Sequence, residues 1–204
     1  ERMQLEARKR ELNGRKRGLE ADITKAGGKE LEELDKSIAV AREAGKNRPE
    51  YGWHSAIEAS PDTPKWVQVD LGQRVAIAAI EYAGCHDDFN QIGDGFGFPP
   101  RFKVEVADDE AFAAGRRMVE DQTGADLPNP GIKPRRVEGG GAEARFVRIT
   151  ATRLAPRQND YIFALAELRV LDARGTNVAL NATVTSTDSI EAPPRWARKN
   201  LVDG

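Results

Sequence analysis

The chain has 204 residues, with 31 Lys and Arg against 33 Asp and Glu for a formal net charge of -2. That length holds one well-packed domain plus an appendage rather than two full domains, and the near-neutral balance gives no electrostatic ground for a nucleic-acid partner. No apolar run approaches the roughly 20 residues of a membrane-spanning helix, and the single cysteine, Cys85, rules out an internal disulfide, a four-cysteine zinc site and a paired-cysteine haem attachment.

Residues 1–46 are rich in Glu, Lys, Arg, Leu and Ala and contain no Pro and no aromatic residue. Leu5, Leu12, Leu19 and Ala26 recur every seven residues, and Leu31, Leu34, Ile38 and Ala41 at three, four, three. Both are helical periods. Gly27-Gly28 breaks the pattern, and Gly45 with Pro49 ends it. The spacing predicts a helical hairpin with one narrow, coiled-coil-like apolar seam. Gly14 and Gly18 weaken its first helix by about 1 kcal/mol each relative to Ala. It reads as a charged hairpin packed on itself, a spacer, or a contact through which the chain forms a homo-oligomer. The basic triplets Arg8-Lys9-Arg10 and Arg15-Lys16-Arg17 are interleaved with acids and read as a solvated helix face. The chain opens at Glu1 in mid-pattern, without a cap or a start Met, and reads as a piece of a longer protein.

From residue 47 to 175 the pattern changes to short strands and loops. In Lys65-Trp66-Val67-Gln68-Val69-Asp70-Leu71-Gly72, Val67, Val69 and Leu71 alternate with Trp66, Gln68 and Asp70. That period of two predicts a half-buried strand, ended by Gly72. Ala76 to Tyr82 is apolar and extended, and Arg101 to Val106 alternates cleanly. Asp108-Asp109 is a turn, and Ala111 to Val119 a short helix or an irregular edge. Asp121 to Pro134 is a long loop and Gly139-Gly140-Gly141 a flexible turn. Ala144 to Thr152 and Tyr161 to Leu171 are further strands. Several short strands punctuated by Gly and Pro predict a mainly β fold, an antiparallel β-sandwich preceded by the α-helical hairpin.

The segments "GWHS … WVQVDLG", "RFKVEVADD", "ARFVRITATRL" and "YIFALAELRVLD" resemble, in order and spacing, the strands of discoidin domains, also called coagulation factor 5/8 type C domains. The resemblance covers about residues 51–172. It implies a galactose-binding-like jelly roll, non-catalytic ligand binding by loops at one end of the sandwich, and an extracytoplasmic setting (periplasmic or cell surface). The stretches "GCHDDFNQIGDGFGFPPRFKVE" and "LAPRQNDYIFALAEL" further resemble discoidin segments of large multidomain planctomycete proteins that also carry cytochrome-c-like domains.

Residues 176–204 hold an oddity. Asn177 to Ser186 looks like the first strand of a discoidin domain and Asn200-Leu201-Val202-Asp203-Gly204 like the loop after it, yet both follow the last strand. The tail either completes this same sandwich, within one molecule or by strand swapping, or begins a second domain. An uncovered sheet edge would expose unpaired backbone groups, which favours pairing.

The loops supply the candidate site. His54, the run His86, Asp87, Asp88, Phe89 and Asn90, and the run Arg157, Asn159, Asp160 and Tyr161 are expected at the binding rim. Planar amides and guanidinium groups match vicinal hydroxyls, and Phe89 or Tyr161 would stack on the apolar face of a sugar. The same Asp and Asn residues are also good turn formers. Carbohydrate or polysaccharide is therefore the expected ligand, with protein–protein assembly through the hairpin as the alternative. The resemblance also implies a structural Ca²⁺ bound by backbone carbonyls and two acids, here Glu167 and Asp203. Hard oxygen ligands suit that ion. Glu167 stands in an otherwise apolar strand and needs a cation, Arg148, Arg169 or solvent. Two histidines without i, i+4 spacing, and a Cys85 adjacent to His86, give no catalytic constellation.

Overall fold

The computed structural model describes residues 6, 8–9, 11–19, 22, 33–34 and 48–204. The chain divides into two units, Glu1–Lys46 and Asn47–Gly204. In the first, residues 11–19 are helical. The predicted reversal at Gly27-Gly28 lies outside the described residues, as does most of the second helix. Leu12 and Leu19, both placed on the apolar seam, are 48% and 62% exposed. No helix among the described residues is long and apolar enough to cross a membrane.

The second unit is an antiparallel β-sandwich. Its strands are β1 (Trp53–His54), β2 (Lys65–Ala83), β3 (Cys85–Asp87), β4 (Gly93–Phe96), β5 (Arg101–Ala107), β6 (Arg117–Gln122), β7 (Arg135–Arg153), β8 (Ala155–Pro156), β9 (Tyr161–Ile162), β10 (Ala164–Leu165), β11 (Glu167–Leu171) and β12 (Thr183–Ser186). The main sheet runs β11-β2-β7-β5-β6, with β12 also on β2. The two-stranded ladders β1-β10, β3-β4 and β8-β9 complete the domain. Val67 and Val69 of β2 point into one core with Trp53, Phe163 and Leu165 of the ladder side, and all five are at most 1% exposed. Burial of each such side chain is worth roughly 1.5–3 kcal/mol.

The tail belongs to this sheet. β12 pairs antiparallel with the first half of β2, Thr183 opposite Asp70 and Ser186 opposite Val67. β11 pairs with the second half, Glu167 opposite Ala83 and Leu171 opposite Ala79. Buried Lys65 fastens the tail from below, bonding Asp188 of the tail and Glu58 together.

Gly72 does not end the strand. β2 runs on to Ala83 through a bulge, its pairing with β7 stepping from Asp70/Phe146 to Val75/Ala144. Gly72 sits there at φ 77, and its N–H donates to Asp70 Oδ1 at 2.8 Å. A glycine with positive φ marks a bulge as readily as a strand end. Gly139–Gly141 likewise form a bulge inside β7, opposite the Ile77/Ala79 step, and not a turn. A Cβ on Gly139 would lie 2.2 Å from the Ile77 carbonyl oxygen. The predicted helix or irregular edge at 111–119 is a turn leading into β6, so the loop expected from Asp121 begins only after Gln122. The solvent-side face of β2 is covered too. Arg148 donates to Gln68 Oε1 at 2.8 and 2.6 Å, with its guanidinium 4.5 Å from the Trp66 ring and 3.9 Å from that of Phe112. Gln68 is buried for that reason.

Candidate functional site

The β3-β4 hairpin presents the first predicted run. His86 pairs with Asp94 and Asp87 with Gly93. The connection is a 3-10 turn, Phe89–Gln91, with Asn90 at φ 51. Asn tolerates that left-handed conformation better than most residues. Asp87 Oδ1 accepts the Phe89 N–H at 2.9 Å and starts the turn. The second run is locked onto the first. Arg157 holds Asp160 with two hydrogen bonds, 2.9 and 2.6 Å. Its guanidinium lies 4.6 Å from the Phe89 ring centre, and Asn90 Nδ2 donates to the Arg157 carbonyl at 3.0 Å. Asp160 is held below the usual carboxylate range, chiefly by its hydrogen bonds from Arg157. Phe89 remains 40% exposed, and Asn159 is exposed as well.

A surface pocket of about 550 Å³ opens next to these loops, lined by Glu50, Tyr51, His86, Asp87, Asp88 and Arg195. His86 Nδ1 is 2.6 Å from Asp94 Oδ1 and its Nε2 3.5 Å from Asp88 Oδ1. The Asp94 hydrogen bond raises the imidazole pKa above its ordinary value. Asp87 takes Arg195 Nη2 at 3.0 Å. Tyr51, 36% exposed, is the aromatic ring of this pocket.

Two predicted residues lie elsewhere. His54 is 4% exposed and is not at the rim. Its Nδ1 is 2.6 Å from the Ser55 carbonyl oxygen, and its ring packs 5.1 Å from Trp196 and 5.7 Å from Phe96. Burial lowers its pKa. His54 is part of β1 opposite Ala164, which turns its side chain into the interior. Tyr161 is a partly buried ring packed against the core, in place of an open platform. Cys85 is buried, and burial pushes its thiol pKa up, away from nucleophilic use.

Tyr51 and Arg195 carry the pocket, and neither was among the candidates. Tyr51 is legible as the aromatic residue at the head of "YGWHS". Arg195 stands in the tail, in "PPRW", and its place follows only once the tail is docked.

At the other end of the tail, Gly204 N–H donates to Glu167 Oε2 at 3.3 Å. Glu167 Oε1 is buried without a hydrogen-bond partner among the described residues. Burial and the neighbouring Asp203 charge push the Glu167 pKa up to about 8. Burial raises that of Asp203 as well. The arginines that could have served Glu167 are engaged elsewhere, Arg148 by Gln68 and Arg169 by Glu81 at 3.1 Å. Among the described residues no group of three or more His, Cys, Asp or Glu is arranged to hold a metal ion.

A model of the F5/8 type C domain matches residues 29–168. The chain belongs to the F5/8 type C, or discoidin, family. Solved structures similar to it include the CBM32-5 module from Clostridium perfringens in complex with GalNAc-β-1,3-galactose, at 17% identity and TM-score 0.45, covering 62% of this chain and 77% of that one. The CBM32-3 module of a family 31 glycoside hydrolase from the same organism is 23% identical, TM-score 0.44, covering 61% and 77%. A chitosan-binding module of a chitosanase/glucanase from Paenibacillus sp. IK-5 is 18% identical, TM-score 0.40, covering 56% and 73%. No curated protein matches the chain. The matched span of this discoidin domain stops before the tail that supplies β12 and Arg195.

Proposed function

We propose that this discoidin domain is a non-catalytic carbohydrate-binding module and that the loop-end pocket is its site. The observation that carries the reading is the pocket lining itself. An exposed phenol ring, a guanidinium, an imidazole and carboxylates converge there within one concavity. Aromatic stacking on a sugar's C–H face plus planar hydrogen-bonding groups for its hydroxyls is the chemistry of shallow sugar recognition. Arg157, Asn159 and Phe89 extend the rim beside it. Arg195 is paired with Asp87 and the His86 imidazole with Asp94, and carboxylates outnumber the basic groups of the lining, which suits neutral or amino sugars better than uronides. The same reading expects the domain to tether a larger protein to a polysaccharide outside the cytoplasm.

Glu167 and Asp203 fit a structural Ca²⁺, with backbone carbonyls as further ligands. A buried carboxylate oxygen without a partner, pressed by a second carboxylate, is the electrostatic situation a hard cation relieves. Such an ion would pin the tail end to β11.

A glycan-array screen of the protein and of Arg195→Ala tests the binding reading. Saturable binding by the first and loss by the second supports it. Equal binding by both, or none by a folded protein, counts against it. One observation favours assembly as a second reading: Leu12 and Leu19, seven residues apart, are exposed. A dimer in sedimentation that Leu12→Glu with Leu19→Glu dissolves would support it.

A further inference from the structure

Asn200 is not in the pocket lining, yet it is a buried polar group bonded to the backbone of the lining residue Arg195. It is 5% exposed, in the 3-10 turn Arg198–Val202. Its Nδ2 donates to the Pro194 carbonyl at 2.8 Å and to the Arg195 carbonyl at 3.0 Å. Both neighbours are acceptors, so the side chain must offer two N–H groups at one nitrogen, which a primary amide does and a carboxylate cannot.

Those two carbonyls belong to the segment that aims Arg195. The Arg195 carbonyl also takes the Gly52 N–H at 3.0 Å, so the backbone there is gripped from both sides. The side chain then crosses to three partners on two segments of the rim. Arg195 Nε donates to the Glu50 carbonyl at 3.0 Å, Nη2 to the His86 carbonyl at 3.3 Å and Nη2 to Asp87 Oδ2 at 3.0 Å.

We propose that Asn200 is a positioning residue for the sugar site: by holding the Pro194 and Arg195 carbonyls it sets the direction from which the Arg195 guanidinium enters the pocket. This rests on the carbohydrate reading of the same pocket. Asn200 acts through Arg195 and through no other lining residue. Removing it takes the donor from the Pro194 carbonyl, leaves the Arg195 carbonyl to Gly52 alone, and lets the arginine swing out to solvent.

The test is a double-mutant cycle with an NMR readout, using the full chain and an array of neutral and amino sugars from mono- to hexasaccharide. The strongest-binding glycan on that array is titrated against wild type, Asn200→Ala, Arg195→Ala and the double variant. Asn200→Ala is expected to weaken binding roughly tenfold, about one lost hydrogen bond's worth. In the Arg195→Ala background it should change nothing further. An equal loss in both backgrounds, or none in either, overturns the proposal. Independently of any sugar, the Arg195 Nε–Hε signal, assigned by its loss in Arg195→Ala, should exchange slowly in wild type and rapidly in Asn200→Ala. If no glycan binds wild type, the carbohydrate reading fails and the arginine signal alone decides the positioning role. An unchanged Nε–Hε signal in Asn200→Ala contradicts it. Should Asn200→Ala not fold, Asn200→Ser, which keeps one donor, is read in the same way.

Discussion

Arg195 Nη2 lies 3.0 Å from Asp87 Oδ2. A residue of the C-terminal tail and a residue of β3 thereby share a salt bridge at the mouth of the rim pocket. The pocket is thus built by tertiary closure and not by one loop. Arg195→Ala removes the charged donor the pocket would offer a sugar hydroxyl, and a hydrogen bond to a charged group is worth about 1.5–3 kcal/mol, or roughly 10- to 150-fold in affinity. Isothermal titration should show that loss. The cost to stability should be small, since the Arg195 side chain is 41% exposed and such pairs contribute about 0–1 kcal/mol.

His86 makes the pocket pH-sensitive. Its folded pKa is raised, first by the Asp94 hydrogen bond and then, against the opposing cost of burial, by the charges of Asp88, Asp94 and Glu50. Arg195 also bonds its carbonyl. A raised folded pKa means that the His86 contribution to stability is fully present below the unfolded value of about 6.5. It is lost as pH rises through the higher folded value. An NMR titration of the imidazole should give a midpoint above that of a free histidine, and Asp94→Asn should bring it down. A wild-type midpoint at or below the free value would remove the ion pair from the account.

Glu167 predicts a calcium effect with a definite sign. Its folded pKa is raised to about 8, so in chelator the protein carries an increasing penalty as pH climbs from about 4.5 to 8 and the carboxyl ionises. Calcium should oppose that trend. At 100 times its Kd it would add about 2.7 kcal/mol, a rise in Tm of roughly 5–10 °C for a domain of this size. Glu167→Gln should flatten the pH dependence and abolish the calcium shift. Thermal melts at pH 5, 6.5 and 8, with and without calcium, read all of this. A Tm indifferent to calcium at pH 8 would falsify the proposed ion site.

Lys65 tests the docking of the tail. Its side chain is 3% exposed and its ammonium bonds Glu58 and Asp188, whose side chains are each 29% exposed. Removing one partner of a buried ion pair costs about 3–5 kcal/mol, and the partial exposure of both acids argues for the lower end. Lys65→Ala should therefore lose about 3 kcal/mol in urea unfolding. Asp188→Asn should lose less, because Glu58 still pairs the lysine.

The sequence makes the sandwich legible through Lys65–Leu71 and Arg101–Val106, because a two-residue period can be satisfied only by a strand with one face on a core. It leaves bulges unreadable. Gly72 and Gly139–Gly141 have the same local signature whether a strand stops or kinks, and only the partner strand decides. His54 misleads because a polar residue after Trp53 looks like loop chemistry, whereas the pairing with β10 turns it inward. The 86–90 and 157–161 runs are legible as neighbours only through the family resemblance, since nothing local joins them. Arg195 depends on contacts across nearly the whole domain, so its part in the pocket is written in the fold and not in its own neighbourhood.

The most direct measurement is chemical-shift mapping of ¹⁵N-labelled protein titrated with the strongest glycan from the array. The account predicts perturbations clustered on Tyr51, His86 to Asn90, Arg157 to Asp160 and Arg195, with the β5-β6 edge and the helical segment unmoved. Shifts confined to that edge or to residues 11–19, with the pocket residues still, would contradict it.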